Sequence, residues 1–230
     1  MKTSKARYVQ DVFERIAPRY DLMNRLMTGG QDQAWRSEVI RRACLTPAAR
    51  LLDLGAGTGD LGREALRQAP ETRLTLADFS TGMMHTGQKR TGLALHWSAA
   101  DALNLPFSDH TFDAIVSGFL LRNVADLDRA LAEMLRVLRP GGRIVALDTT
   151  RPVRSALTPF IWTHMHVVIP TLGWLLTGQR DAYNYLPNSS ESFLRAEDLA
   201  GRISSAGFRQ VGFNRLNFGT IAIHWGEKVS

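Results

Sequence analysis

The sequence predicts an α/β protein with a mostly parallel sheet and helices on both of its faces. Between residues 50 and 148, short apolar runs alternate with helical patterns. Strands separated by helices pair in parallel, because the chain needs a crossover to return to the same edge of the sheet. A glycine-rich turn directly after the first apolar run indicates where the first strand passes into the first crossover helix.

The individual elements follow from the spacing of apolar residues. Strands are predicted at residues 50–54, 73–78, 94–98, 112–117 and 143–148. Helices are predicted at residues 59–69, 81–89, 126–138 and 196–206. Two last strand-like runs, at residues 208–213 and 219–225, are joined by a short connection that favours an antiparallel hairpin. The sheet is therefore expected to end in an antiparallel strand.

Two segments fall outside this alternation. Residues 8–45 show helical spacing around a break at Pro18 and precede the first strand, so we expect them to form a helical N-terminal lid on the sheet. Residues 151–190 are apolar, aromatic and punctuated by prolines, and they form an insertion before the closing helix and hairpin of residues 191–230.

The composition is ordinary for a soluble globular protein, with 44% hydrophobic and 22% charged residues. A chain of 230 residues suits one domain spanning residues 1–230, with a cofactor-binding core at residues 50–148. The single cysteine, Cys44, excludes an internal disulfide and leaves no cysteine pair for a metal.

Charge and hydropathy bear on location and partners. The net charge is +6, but the basic residues are scattered, so we expect no nucleic acid partner and allow contact with an anionic membrane surface. The polar residues 1–7 predict no secretory signal. The apolar residues 156–176 are interrupted by Pro170 and Gly173 and make a poor membrane span. A cytoplasmic protein, peripheral at the inner face of the membrane if bound there, is expected.

The turn after the first strand is the first candidate binding feature. Gly55 and Gly57 lie in a bend where the backbone must take positive φ and let a ligand approach closely. The turn alone does not identify its ligand, because Gly57, Gly59 and Gly62 also satisfy the GxGxxG pattern of dinucleotide sites. Gly62 is alternatively a glycine that packs the helix on a strand.

Acidic residues near this turn favour a cationic ligand. Asp53 precedes the first glycine, Asp78 ends the second strand, and Asp101 with Ala102 follows the third. Carboxylates repel a pyrophosphate but attract S-adenosylmethionine, which carries a sulfonium and an ammonium group. Each residue also has a plainer interpretation, with Asp53 as a helix cap and Asp78 and Asp101 as turn residues.

Three ordered motifs resemble the class I methyltransferases, whose Rossmann-like sheet has an antiparallel last strand. They are LDLGAGTGD at residues 52–60, LRNV at residues 121–124 and RVLRPGG at residues 136–142. IAPRYDLMNRLM at residues 16–27, with Trp35 and Arg36, resembles the menaquinone/ubiquinone-biosynthesis C-methyltransferase family more narrowly. The resemblance runs from about residue 10 to the end of the sequence.

This resemblance implies an S-adenosylmethionine site and a methyl transfer that needs no metal. Thr58, Asp78, Asp101 and Ala102 take the family's cofactor-contact positions. The implied substrate is a polyprenylated quinol methylated on a ring carbon, as in the conversion of demethylmenaquinol to menaquinol. Gly118, which replaces a serine common in the family, leans toward that quinol rather than toward the ubiquinone-pathway benzoquinol.

Candidate catalytic residues lie beyond the fourth strand and in the lid. Arg122 and Asn123 follow that strand at the edge where α/β sheets bind ligands, and Arg122 would stabilise a developing phenolate. Tyr20 would hydrogen-bond the same hydroxyl. His164 and His166 are further candidate bases, and Tyr183 and Tyr185 could line the substrate cavity; these four also have a packing interpretation. Tyr20 could likewise be a lid aromatic residue that packs on the sheet, and Arg122 could instead form a surface salt bridge.

The insertion and two other function classes remain open. Aromatic and aliphatic residues of the insertion would form a channel for the isoprenoid tail, dip into the bilayer interface or close against the sheet. An NAD-binding oxidoreductase would require the GxGxxG interpretation. A non-catalytic scaffold would bind S-adenosylmethionine and transfer nothing. The methyltransferase itself could form a homo-oligomer.

Overall fold

The computed structural model describes residues 20–91, 95–151, 158–168 and 192–229, together with eight single residues. The eight are Asp11, Val12, Glu14, Arg15, Ala17, Thr171, Ser189 and Ser190. Pro18, Tyr183 and Tyr185, and most of the predicted insertion, lie outside the described residues.

A seven-stranded sheet with the order β3-β2-β1-β4-β5-β7-β6 forms the centre of the molecule. Its strands are β1 Arg50–Leu54, β2 Arg73–Asp78, β3 His96–Ala99, β4 Phe112–Gly118, β5 Leu138–Thr149, β6 Phe208–Leu216 and β7 Ile221–Lys228. The pairs among β1 to β5 are parallel, and β7 runs antiparallel to both β5 and β6. The predicted fold class, including the antiparallel last strand, is confirmed.

Seven helices are described. They are α1 Tyr20–Met27, α2 Gln31–Ala43, α3 Asp60–Gln68, α4 Thr81–Thr91, α5 Leu127–Val137, α6 Thr158–Thr163 and α7 Ala196–Ser205. A π-helical turn, His164–Val168, continues α6. None of the helices in the described ranges is long and apolar enough to cross a membrane.

The side chains alternate between two cores, one on each face of the sheet. On one face Leu52 and Leu54 pack with α5 and α7. On the other face Leu51 packs with α2 and α3 through residues such as Val39 and Ala65. The second helix of the predicted N-terminal lid is therefore also a structural layer, because its apolar side chains are buried against the sheet.

Two boundaries differ from the sequence prediction. The N-terminal helical segment breaks at Gly29 and Gly30, both at positive φ, so that α1 and α2 are separate helices. Strand β5 begins at Leu138 rather than at residue 143, because Phe112 already pairs with Leu138. Pro140, Gly141 and Gly142, which suggest a turn in the sequence, lie inside β5. The pairing of β5 with β4 shifts its register there, between Phe112 and Ala114.

Candidate cofactor and substrate cleft

A cleft opens at the carboxyl ends of β1, β2 and β4, where parallel α/β sheets bind ligands. It encloses about 930 Å³ of unfilled space, its open mouth included. Its walls are the glycine turn, the end of β2 and residues 100–103, 118–120 and 123–125, and most of the exposed wall is apolar.

A second, smaller cavity of about 400 Å³ adjoins the first behind the glycine turn. The two share Gly55, Gly57, Gly118 and Phe119 as walls. The wall of the smaller cavity is more polar than that of the larger one, because its lining includes Arg36, Asp53, Thr58 and Asp60. The glycine turn therefore divides one site into a charged pocket and an apolar pocket.

The glycine turn is held open by its backbone conformation. Gly55 has φ +70°, and a Cβ there would lie 3.0 Å from Leu120 Cδ1. A side chain at Gly55 would thus be strained and would crowd the cleft wall. The Gly57 amide donates to Asp78 Oδ2 at 2.7 Å, which fixes the turn to the end of β2.

Asp53 is buried below the turn, with 1% of its surface exposed. Its Oδ2 accepts a hydrogen bond from the Gly62 amide at 2.9 Å, while Oδ1 has no hydrogen-bond partner among the described residues. Burial, with a smaller contribution from the neighbouring carboxylates of Asp78 and Asp60, raises the pKa of Asp53 to about 7, although the Gly62 hydrogen bond opposes the rise. One oxygen therefore serves the helix cap, and the other is available to a cationic group.

Gly62 itself has a packing role. A Cβ at this position would lie 2.6 Å from Leu76 Cδ2 and 2.9 Å from Leu74 Cδ2, so α3 could not approach β2 with a larger residue. The GxGxxG pattern in which Gly62 is the last glycine thus has a structural explanation that does not involve a dinucleotide.

Asp78 faces the larger pocket from the end of β2. Its Oδ1 accepts from the Ser80 amide at 2.7 Å, and its Oδ2 accepts from Gly57. Burial raises the pKa of Asp78, and these backbone amides oppose that rise. The carboxylate is therefore held in one orientation and retains acceptor capacity toward the cleft.

Asp101 and Ala102, both predicted cofactor contacts, line the larger pocket on the β3 side. The Asp101 side chain is exposed, and its Oδ1 accepts from the Leu103 amide at 2.9 Å. Ala102 is buried. The turn interpretation of Asp101 and a ligand contact are compatible, because its second carboxylate oxygen remains open to the cleft.

Thr58 and Arg36 connect the N-terminal helices to the glycine turn. The Thr58 hydroxyl donates to Asp21 Oδ1 of α1 at 2.8 Å, and Asp21 also pairs with Arg90 of α4. Arg36 of α2 pairs with Asp60 at 3.0 Å. The Thr58 side chain therefore links the glycine turn to α1 by a hydrogen bond. Arg36 extends from α2 into the charged pocket.

Arg122 and Asn123 are neighbours with different surroundings. Arg122 is buried, and its Nη1 donates to Asp148 Oδ1 at 2.6 Å while its backbone amide donates to Asp148 Oδ2 at 3.2 Å. Its guanidinium lies 5.0 Å from the centroid of the Phe119 ring, and Arg122 is not among the described residues that line either pocket. Asn123 does line the larger pocket and donates to the Phe119 carbonyl at 2.8 Å.

The remaining candidates are only partly described. Tyr20 begins α1, and its side chain, like that of His164, lies outside the described part of the chain. His166 Nδ1 lies 3.0 Å from the Trp162 carbonyl, and its ring stacks on the Trp162 indole with centroids 4.7 Å apart. The His166 ring is thus held by its own helical turn.

Two wall residues were not predicted. Phe79, 46% exposed, lies next to Asp78 on the wall of the larger pocket. Arg36 belongs to a family motif, but its ion pair with Asp60, 24 positions away in the sequence, is not predictable from that motif. The position of Phe79, an aromatic residue directly after the acidic end of β2, could have predicted a place on the cleft wall. No neighbouring residue predicts that Arg36 lies at the charged pocket. Among the described residues, no group of His, Cys, Asp and Glu side chains could hold a metal ion.

Comparison with known proteins gives one consistent result. The profile of the ubiE/COQ5 methyltransferase family matches residues 1–228. The "Ubiquinone/menaquinone biosynthesis C-methyltransferase UbiE" of Desulfotalea psychrophila is 45% identical, over 98% of this chain and 92% of its own. The "Demethylmenaquinone methyltransferase" of Thermus thermophilus is 41% identical, over 94% of this chain and 100% of its own.

Solved structures agree on the fold. An S-adenosylmethionine-dependent methyltransferase from Thermotoga maritima superposes with a TM-score of 0.68 at 19% identity, covering 95% of this chain and 98% of the other. At that identity the likeness concerns the arrangement of the sheet and helices.

Proposed function

Since the chain belongs to the ubiE/COQ5 methyltransferase family and is therefore a methyltransferase, we propose that it methylates a ring carbon of demethylmenaquinol to give menaquinol. The observation that carries the proposal is the divided cleft, in which a pocket with buried carboxylates adjoins a mostly apolar one. The first suits a cationic methyl donor, and the second suits a quinol ring.

The described residues fit S-adenosylmethionine as the donor. Asp53 Oδ1 is a buried oxygen without a partner among the described residues, and Gly55 leaves space that a Cβ would fill. When bound, S-adenosylmethionine supplies an electrophilic methyl group on a sulfonium. We assign its ammonium to the Asp53 side of the charged pocket and its carboxylate to Arg36, because these are the opposite charges lining that pocket.

We assign the ribose and adenine of the cofactor to the β2 and β3 side of the cleft. Asp78 has acceptor capacity for ribose hydroxyls, Asp101 for the adenine amino group, and Phe79 offers a ring face for the base. Gly57 and Ala102 allow close approach at this wall.

The acceptor ring carbon would gain electron density when its neighbouring hydroxyl loses a proton to water. Its own proton would also pass to water once the ring carbon carries the methyl group that S-adenosylmethionine supplies. Arg122, paired with Asp148, is permanently cationic and makes a poor base, so we assign it a positioning and electrostatic role behind Phe119. Asn123 and Tyr20 are the proposed hydrogen-bond partners of the quinol hydroxyl. Exclusion of water by the apolar wall strengthens these interactions.

Transfer to defined quinols tests the substrate. Purified protein with S-adenosylmethionine should release S-adenosylhomocysteine with a short-chain demethylmenaquinol, and the product should be heavier by one methyl group. Methylation of a methoxy-polyprenyl benzoquinol alone would move the assignment to the ubiquinone pathway. Cofactor binding with no transfer to either quinol would instead support the scaffold alternative. A strain lacking the protein should accumulate the quinone that is lighter by one methyl group.

The Arg36 assignment has its own test. Arg36→Met should raise the Kd for S-adenosylmethionine about tenfold, because a charge-assisted hydrogen bond to the ligand carboxylate is lost. Arg41→Met is the matched control, since Arg41 is a 70% exposed arginine on the same helix. Calorimetry that finds equal affinity for the two variants would contradict the assignment.

We also propose a peripheral membrane contact through α6 and the π-helical turn that follows it. Phe160, Trp162 and Val167 are 74%, 55% and 49% exposed there. Exposed aromatic and aliphatic side chains partition into the bilayer interface, and the net charge of +6 favours anionic lipid. Phe160→Ser with Trp162→Ser should reduce co-sedimentation with phosphatidylglycerol vesicles, while Phe218→Ser, another exposed aromatic, should not.

A further inference from the structure

The opposite edge of the sheet carries a third cavity, which shares no wall residue with the two at the cofactor cleft. It contains about 730 Å³ of unfilled space, its open mouth included. Four of the residues that line it are the first residues of β1, β2, β3 and β4, namely Arg50, Arg73, His96 and Phe112. The cavity therefore lies at the amino-terminal edge, a full strand length from the cofactor cleft.

Three basic residues share one face of the sheet in this cavity. Arg50 pairs directly with Arg73 across β1 and β2, and Thr75 pairs with His96 across β2 and β3. Paired residues of neighbouring strands point to the same face, and residues two apart on one strand do so as well. The two guanidinium groups and the imidazole thus extend from adjacent strands toward the same space.

The direct pairing of two arginines is unfavourable without a counter-charge, because like charges opposite each other destabilise a sheet. No acidic residue is among the cavity's walls in the described chain, and neither arginine side chain has an ion pair or hydrogen bond there. Asp113, the neighbour of Arg50 on β4, is already engaged, since it accepts from Arg139 Nη1 at 2.8 Å and from the Arg50 backbone amide at 2.7 Å.

Most other arginines in the described chain are paired with a carboxylate, including exposed ones such as Arg41, Arg67 and Arg202. Arg50 and Arg73 therefore differ from the general pattern of this surface. We propose that the amino-edge cavity binds a small anion bearing a phosphate or diphosphate group. Two adjacent guanidinium groups present paired donors to phosphate oxygens, and the imidazole adds a third contact.

The rest of the wall indicates what carries the phosphate. Phe107 and Phe112 meet edge to face with centroids 5.1 Å apart, and both line the cavity as its aromatic part. Apolar walls beside a basic corner suit an organic phosphate with a planar or aliphatic body, such as a nucleotide. A headgroup in a bilayer has the same phosphate chemistry, but this cavity lies at the edge opposite the mouth proposed to receive the membrane-borne quinol.

Binding is tested with pyrophosphate and ADP on the full-length protein. Both should raise the Tm of the wild type beyond the effect of sodium chloride at equal ionic strength, because a ligand that binds only the folded state stabilises it. The double variant R50Q/R73Q should raise the Kd for each ligand by about tenfold or more. R41Q/R67Q, which removes the same charge from exposed helical positions, should bind as the wild type does.

Three outcomes would overturn the proposal: no ligand-specific shift in the wild type, an equal shift in all three proteins, or an equal loss in both double variants. A fourth would overturn it in favour of lipid, namely loss of phosphatidylglycerol vesicle binding by R50Q/R73Q without any shift by the soluble phosphates. The Kd for S-adenosylmethionine should be the same in R50Q/R73Q and wild type, which distinguishes a local site from global unfolding. This readout does not depend on whether the quinol assignment is correct.

Discussion

The two edges of the sheet carry side chains of opposite charge, which are buried at one edge and exposed at the other. At the carboxyl edge, Asp53 and Asp148 are 1% exposed. The Gly62 amide donates to one oxygen of Asp53, and the Arg122 guanidinium pairs with Asp148. At the amino edge, Arg50 and Arg73 are exposed and have no carboxylate partner among the described residues.

This difference separates two ways of preparing a charged site. Before any ligand arrives, a buried acid must be paired within the fold, as Asp148 is, or must hold a proton more tightly, as Asp53 does, because an unpaired buried charge is costly. Exposed bases are solvated and need no internal partner, so repulsion between them is weak and screened by salt. Substitutions at the carboxyl edge should therefore have large effects and those at the amino edge small ones, of opposite sign.

The largest effect is expected from breaking the Arg122–Asp148 pair. Arg122→Ala should lower the free energy of unfolding by about 3–5 kcal/mol, because it leaves a buried carboxylate without its cation. It should also reduce methyl transfer more than it weakens cofactor binding. Urea denaturation and kcat with KM measure the two effects. Arg202→Ala is the control, since its pair with Asp128 is exposed and should contribute less than about 1 kcal/mol.

An unfolding free energy equal to that of Arg202→Ala would show that the buried pair is not a stabilising element. Full methyl transfer by Arg122→Ala would remove the residue from the proposed mechanism. Asp148→Asn provides a second variant, because it removes the carboxylate charge without removing the hydrogen-bonding shape.

An intermediate effect is expected from Asp53. Its folded pKa of about 7 exceeds its ordinary value of 3.8, so the folded protein holds a proton that the unfolded chain has released. The free energy of unfolding in the absence of ligand should therefore fall as pH rises between these two values. A cationic ligand favours the ionised carboxylate, so the affinity for S-adenosylmethionine should increase through that range.

Calorimetry at about pH 6 and about pH 8 should show roughly tenfold tighter binding at the higher pH for the wild type. Asp53→Asn should lose most of this dependence, leaving the contribution of Asp78, whose pKa burial also raises. The same pH dependence in Asp53→Asn and wild type would contradict the assignment of the ammonium to Asp53.

The smallest effect is expected at the amino edge and has the opposite sign. Arg73→Gln should raise the free energy of unfolding by a few tenths of a kcal/mol (about 0.2–1), because it removes a like charge facing Arg50. The gain should shrink at high salt. Urea denaturation at two ionic strengths measures it, and a destabilised Arg73→Gln would show that the two edges do not differ as described.

Features set by neighbouring residues were predictable from the sequence. Strands β1 and β2 have the predicted bounds because each begins at an exposed arginine, and the buried run then ends at the glycine turn after β1 and at Asp78 in β2. The glycine turn, Asp78 and the Asp101–Ala102 pair lie together at the cleft because the carboxyl ends of adjacent parallel strands meet at one edge. The closing hairpin was signalled by the short connection between its strands.

Features that depend on distant residues were not. Asp148 lies 26 positions from Arg122, and nothing in either local sequence shows that the arginine pairs with that carboxylate. Arg36 reaches the charged pocket only because α2 packs on the sheet. The continuous β5 was also missed, since whether a proline and two glycines form a turn or a register shift depends on the pairing with β4.

The reversed direction of β7 has a practical consequence for handling the protein. Ile221 pairs with Thr149 near the cofactor edge, whereas Glu227 pairs with Arg143 toward the far side. A fluorophore or surface tether attached after Val229 therefore leaves the cleft mouth facing away from the support. Immobilisation through that position should preserve quinol access, but it crowds the amino-edge cavity, so binding of small phosphates is better measured with a label at another position.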